Sequence, residues 1–129
     1  MSKIKIKTIL TNKTENQVYQ NELIGIKSDN KIKYQDGGVN SIITIYEDIL
    51  NIERKSNDYL IKLPIDLKNI TQGIYDIYSL GKINLDIQTT KLEIGNNKIK
   101  VNYVLIFDKE EKIKMEFYLE WEEIKWYKN

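Results

Sequence analysis

From position 82 onward the chain is written almost entirely in couples, one apolar residue and one polar. The runs 82–88, 98–107 and 112–122 keep this alternation nearly unbroken, and a period of two places every second side chain on one face of a sheet. Antiparallel strands with one buried and one wet face follow. The buried set is Ile83, Leu85, Ile87, Ile99, Val101, Tyr103, Leu105, Ile113, Met115, Phe117 and Leu119, because a slip of one residue would bury Lys98, Lys100 and Lys114 instead. The phase changes near Thr89 to Lys91, where Leu92 and Ile94 take the opposite parity. One extra residue there predicts a β-bulge, a device that bends a strand around a barrel. A second phase change separates Trp121 from Ile124 and Trp126.

The first half reads the same way in shorter pieces. Ile4 and Ile6 between Lys3, Lys5 and Lys7 predict a strand to about Leu10, turned by the polar cluster 11–17. Residues 18–27 and 31–35 form the next strands around Ser28-Asp29-Asn30, and Asp36-Gly37-Gly38 is the strongest hairpin turn, since glycine takes positive φ readily. Residues 41–46 and 49–54 are read as strands joined at Glu47-Asp48, although Ile45, Ile49 and Ile52 also fit a helix over 45–55. The strand 59–63 ends at Pro64 or is confined there to an edge, because proline cannot donate to a ladder. Residues 64–69 are the least regular part, with room for a helical turn, and 70–78 returns to Ser79-Leu80-Gly81. About eight to ten strands at hairpin spacing suggest a sandwich or a closed up-and-down barrel; since closure removes exposed edges, the expectation is an all-β fold, a small closed or nearly closed antiparallel up-and-down barrel. A chain of 129 residues is expected to form one such domain.

Composition narrows the function more than the fold. Nineteen acidic residues against twenty basic ones leave a net charge of +1, which supplies no long-range field for nucleic acid or an anionic membrane. Neither partner is expected. The chain has no histidine and no cysteine. That removes disulfides, thiolate nucleophiles, imidazole metal ligands and every Ser-His or Cys-His pair. No loop has the alternating acidic spacing of a calcium site, so neither a metal nor another cofactor is expected. Residues 1–7 alternate lysine and isoleucine, the pattern of a strand and not of a signal peptide, and no apolar run approaches a membrane span. A cytoplasmic, non-enzymatic protein is the expectation.

Several short motifs together resemble the YwiB-like family of small bacterial proteins. They are Ile4-Lys5-Ile6-Lys7-Thr8, the long second strand with Gly25, Lys33-Tyr34 before an acidic turn, Arg54 at a strand end, Leu80-Gly81, Leu85 to Thr89, and Ile99-Lys100-Val101-Asn102-Tyr103. The resemblance spans roughly residues 3–120 and implies a calycin-type barrel with relatives among lipocalin-like binders. It implies no activity. The chain also departs from the wider calycin pattern, which sets a tryptophan on the first strand; Trp121 and Trp126 both lie at the other end.

Arg54 is the only arginine and shares parity with Leu50 and Ile52. If those two face the core, its planar fork faces inward at a strand end, where it can hold a carboxylate or phosphate with two hydrogen bonds. The commoner role is to close the barrel mouth by bonding Asp or Glu and backbone carbonyls of the same chain. Tyr34, Tyr75 and Tyr103, with Tyr78, offer an apolar body and a polar tip to a ligand, though tyrosine also fills small barrels with its own side chain. Glu110-Glu111 and Glu122-Glu123 are read as solvated charge, because adjacent strand residues point to opposite faces. Lys3, Lys5 and Lys7 are read as the wet face of a strand. Two function classes remain: a binding barrel for a small, partly apolar ligand held by Arg54, Tyr34, Tyr75 and Tyr103, and a filled barrel that serves as a structural or protein-interaction module. An enclosed lumen favours the first and a packed one the second.

Overall fold

The computed structural model describes residues 1–108 and 111–125. Ten strands run in chain order: β1 (Ser2–Asn12), β2 (Gln17–Ser28), β3 (Lys31–Asp36), β4 (Val39–Tyr46), β5 (Ile49–Lys55), β6 (Tyr59–Asp66), β7 (Thr71–Ile77), β8 (Gly81–Gly95), β9 (Lys98–Ile106) and β10 (Lys112–Glu123). Each is antiparallel to its neighbours, and β1 pairs β10, so the ring closes. This is the up-and-down barrel that the alternation predicts. No helix long and apolar enough to cross a membrane occurs among the described residues.

The helix weighed over 45–55 does not form. Glu47 takes φ of +46° and reverses the chain, and Tyr46–Ile49 then begins a regular β4–β5 ladder. Nor does 64–69 hold a helical turn. β6 continues through Pro64 to Asp66, whose carboxylate accepts from the Lys68 N–H and the Asn69 amide at 3.0 Å and so shapes the turn. Pro64 pairs Asn51 on β5, while the β6–β7 register stops at Lys62. Its nitrogen falls where the sheet asks for no donor. The bulge appears as a register shift between Thr89 and Lys91.

Successive turns alternate between the two ends of such a barrel. The turns after β1, β3, β5, β7 and β9 share one end, called here the mouth; the others share the base. The interior differs between them. Toward the base it is filled by Ile4, Ile6, Ile32, Ile43, Leu50, Leu63, Ile65, Ile87, Ile99 and Leu119, all essentially inaccessible. Inward residues nearer the mouth, among them Leu10, Tyr34, Arg54, Ile61, Tyr75, Phe107, Ile113 and Met115, are only half-buried. Ile83 is the one predicted core residue that fails outright, at 45% exposed. It pairs Tyr75 at the mouth end of β8, where correct parity meets no opposing wall.

Candidate functional site

The four residues singled out in the sequence come together at the mouth. Strand register explains three of them, since one ladder row runs Gly25, Tyr34, Ser41, Arg54, Ile61, Tyr75 across β2 to β7. All six share the inner face. Tyr103 enters from β9, opposite Thr89 on β8. The Arg54 guanidinium crosses to the far wall and lies 5.5 Å above the ring of Phe117 on β10, which is five places away in a ring of ten. A cation over an aromatic face is stabilised by the ring quadrupole. Tyr75 meets Phe107 edge to face at 5.6 Å.

Electrostatics tie the cluster to one charge. Burial pushes the Tyr103 hydroxyl up to about 12, against an opposing pull from Arg54. The Tyr34 hydroxyl is raised by burial too, partly offset by the Arg54 charge and by hydrogen bonds with Ser41 and Arg54, while the Asp36 charge adds to the rise. Tyr75 is raised by burial and lowered by the same guanidinium. All three stay neutral donors at physiological pH. Among the described residues Arg54 forms no ion pair; the salt bridges present join Lys13–Glu116, Lys62–Glu53, Lys68–Asp48 and Lys91–Glu93. Of the expected closure of the mouth, the Arg54–carboxylate pair is absent among the described residues. Its immediate partners in the row, Ser41 and Ile61, carry no acid, and the inward Asp36 two residues beyond Tyr34 forms no ion pair with it.

Two contributors escaped the sequence reading. Phe117 was legible as core but not as the platform for Arg54, because that contact spans the lumen. Thr89 was read only as a bulge residue; its side chain is 6% exposed and its hydroxyl has no hydrogen-bond partner. Such a buried orphan costs free energy unless something supplies a partner. Tyr78 stays outside the cluster, 50% exposed at a turn. Glu122 and Glu123 are exposed, whereas Glu110 lies outside the described residues, as does Trp126. No group of three or more acidic residues converges in the described chain.

Two depressions of about 450 and 470 Å³ open on the outer wall. The first is lined by opposed charges, including Lys5, Lys7, Glu120 and Glu122, and the second by Ile24, Ile26 and Ile42 together with Tyr34 and Ser41 of the row. Neither is lined by Arg54, Tyr75 or Tyr103.

No protein-family model and no curated protein sequence matches the chain. Among solved structures it is similar to the crystal structure of the YwiB protein from Bacillus subtilis, with a TM-score of 0.60 at 12% identity, covering 95% of this chain and 91% of that one. The chain therefore has the YwiB-like fold, a small all-β barrel.

Proposed function

We propose that this barrel binds a small, partly apolar anion at its mouth. The carrying observation is the Arg54 guanidinium, turned inward over Phe117 with no carboxylate among the described residues to pair it. A partly desolvated charge is unfavourable until it is paired, and a planar fork favours a carboxylate or phosphate. Tyr34, Tyr75 and Tyr103 supply neutral donors around it, and the Thr89 hydroxyl adds a donor without a partner. Ile61, Phe107, Ile113 and Met115 give the ligand's apolar part a surface at the rim. The filled base limits how deep that part goes. Short or planar ligands fit this reading better than a long chain threaded through the barrel.

Thermal melts with a panel of aromatic carboxylates, short fatty acids and nucleotides test it. A carboxylate raises the wild-type melting temperature, as mass action requires of a ligand that binds only the folded state. Arg54→Met melts close to wild type when empty, because the half-buried charge it removes has no carboxylate partner and its stem still packs on Phe117, and it loses the ligand shift. Arg54→Lys keeps the charge without the fork and retains only part of the shift. A wild-type protein that no member of the panel stabilises counts against the proposal.

A second reading, the filled barrel as a protein-interaction module, is favoured by the packed base and by the exposed isoleucines 24 and 26 on the outer wall. Native mass spectrometry of the protein from its own host separates the two, by a retained small molecule or a retained protein.

A further inference from the structure

β2 pairs β1 from Gln17 to Lys27 but meets β3 over only four register pairs, Gly25–Tyr34 to Ser28–Lys31. Residues 17–22 thus have a strand on one side only among the described residues. Antiparallel pairing decides which backbone groups this leaves over, because successive residues direct their N–H and C=O to alternate sides. The Ile124 N–H donates to the Lys3 carbonyl and the Lys13 N–H to the Lys114 carbonyl. Odd residues of β1 therefore bond to β10 and even ones to β2. Through the pairs Thr8–Asn21 and Leu10–Tyr19, the odd residues of β2 face β1. Val18, Gln20 and Glu22 are left pointing their N–H and C=O to the open side.

Open edges of this kind are usually guarded by charge, proline or a bulge. The other long one, β8 beyond its last β7 pair at Ile87, carries the bulge at Thr89 to Lys91 and the ion pair Lys91–Glu93. Residues 17–21 of β2, Gln-Val-Tyr-Gln-Asn, carry no charge, proline or bulge, and the one charge of the stretch 17–22 is Glu22 at its end. Val18 and Tyr19 are 63% and 54% exposed there.

We propose that this edge pairs with the same edge of a second copy of the chain, antiparallel about a two-fold axis at Tyr19. In that register Tyr19 faces its own copy, Val18 faces Gln20, Gln17 faces Asn21 and Glu22 faces Asn16. The residues that exchange hydrogen bonds are those whose groups are free. No like charges oppose each other, since Glu15 falls opposite Leu23. A two-fold contact uses one patch twice and closes, so a dimer forms and not a fibre. Its sheet runs β10-β1-β2 through one barrel and back through the other.

Sedimentation equilibrium from micromolar to millimolar protein, with amide hydrogen exchange, tests the assignment. The wild type dimerises, and the Val18, Gln20 and Glu22 amides slow as the dimer fills. Gln20→Pro removes an N–H that only the open side uses and leaves the β1 ladder intact; Val18→Lys adds the missing guard. Both are monomeric, with a wild-type far-UV spectrum and the melting temperature that the wild type has at concentrations where it is itself monomeric. If Gln20→Pro fails to fold, Val18→Lys decides. A wild type that stays monomeric at millimolar concentration, or a dimer that survives a folded variant undiminished, overturns the proposal, whichever other partner the edge then takes.

Discussion

Tyr103 holds the most displaced ionisation in the lumen, and its consequence is a stability that depends on alkali. In the unfolded chain its hydroxyl titrates at the ordinary value of 10.0, whereas burial carries it to about 12 in the fold. The folded state keeps the proton longer, so this contribution is fully present below pH 10 and is lost as pH rises through about 12. A shift of that size corresponds to on the order of 2–3 kcal/mol. Tyr34 and Tyr75 are displaced in the same direction. Urea melts taken upward from neutral pH are expected to lose stability across this window, and Tyr103→Phe to lose less of it. Parity had placed Arg54, after Leu50 and Ile52, and Tyr103, after Ile99 and Val101, on the inner face, whereas Tyr34 and Tyr75 were singled out by residue type alone. Their convergence was not legible, because Tyr34, Arg54 and Tyr75 meet through the register of five separate strands. Register between distant segments leaves no mark in a local period.

Among the elements, β2 and β7 each reach the inner face with a glycine, at Gly25 and Gly73. A Cβ on Gly25 would stand 2.5 Å from Cδ1 of Ile6 and 2.6 Å from the Lys33 carbonyl oxygen; on Gly73 it would stand 2.8 Å from both Cδ1 of Ile87 and the Lys62 carbonyl. Backbone cannot step aside as a side-chain tip can. Gly25→Ala and Gly73→Ala are expected to destabilise by roughly 1–3 kcal/mol, as overpacked cores do, visible as a lower urea midpoint at unchanged slope. Both glycines sit where a ladder runs out, β2–β3 and β6–β7 having four pairs each. Here the sequence told half the story. Pro64 marked the weak seam beside β7, while the one beside β2 showed only as a loss of alternation over residues 17–22, which does not say which neighbour is missing.

For the molecule as a whole, stability resides in the base and the proposed binding at the mouth. Leu119→Ala, at a fully buried position on β10, should cost about 2–5 kcal/mol by the cavity it leaves, measured by urea unfolding. Ile113→Ala, half-buried at the rim, should cost less, because solvent or neighbours can fill the space. The barrel character could be inferred from alternation and strand count, yet its polarity could not, for the same isoleucine or tyrosine serves either end. The pairing of β1 with β10 has a bearing on how the chain is made. A ribosome delivers β1 first and β10 last, so through most of synthesis β1 can hold only β2, and its other edge waits for a partner more than a hundred residues downstream. Contacts of such sequence separation are formed slowly. Lys3, Lys5 and Lys7 stand along that waiting strand, and their charge keeps the nascent sheet from finding a neighbour's edge before its own arrives.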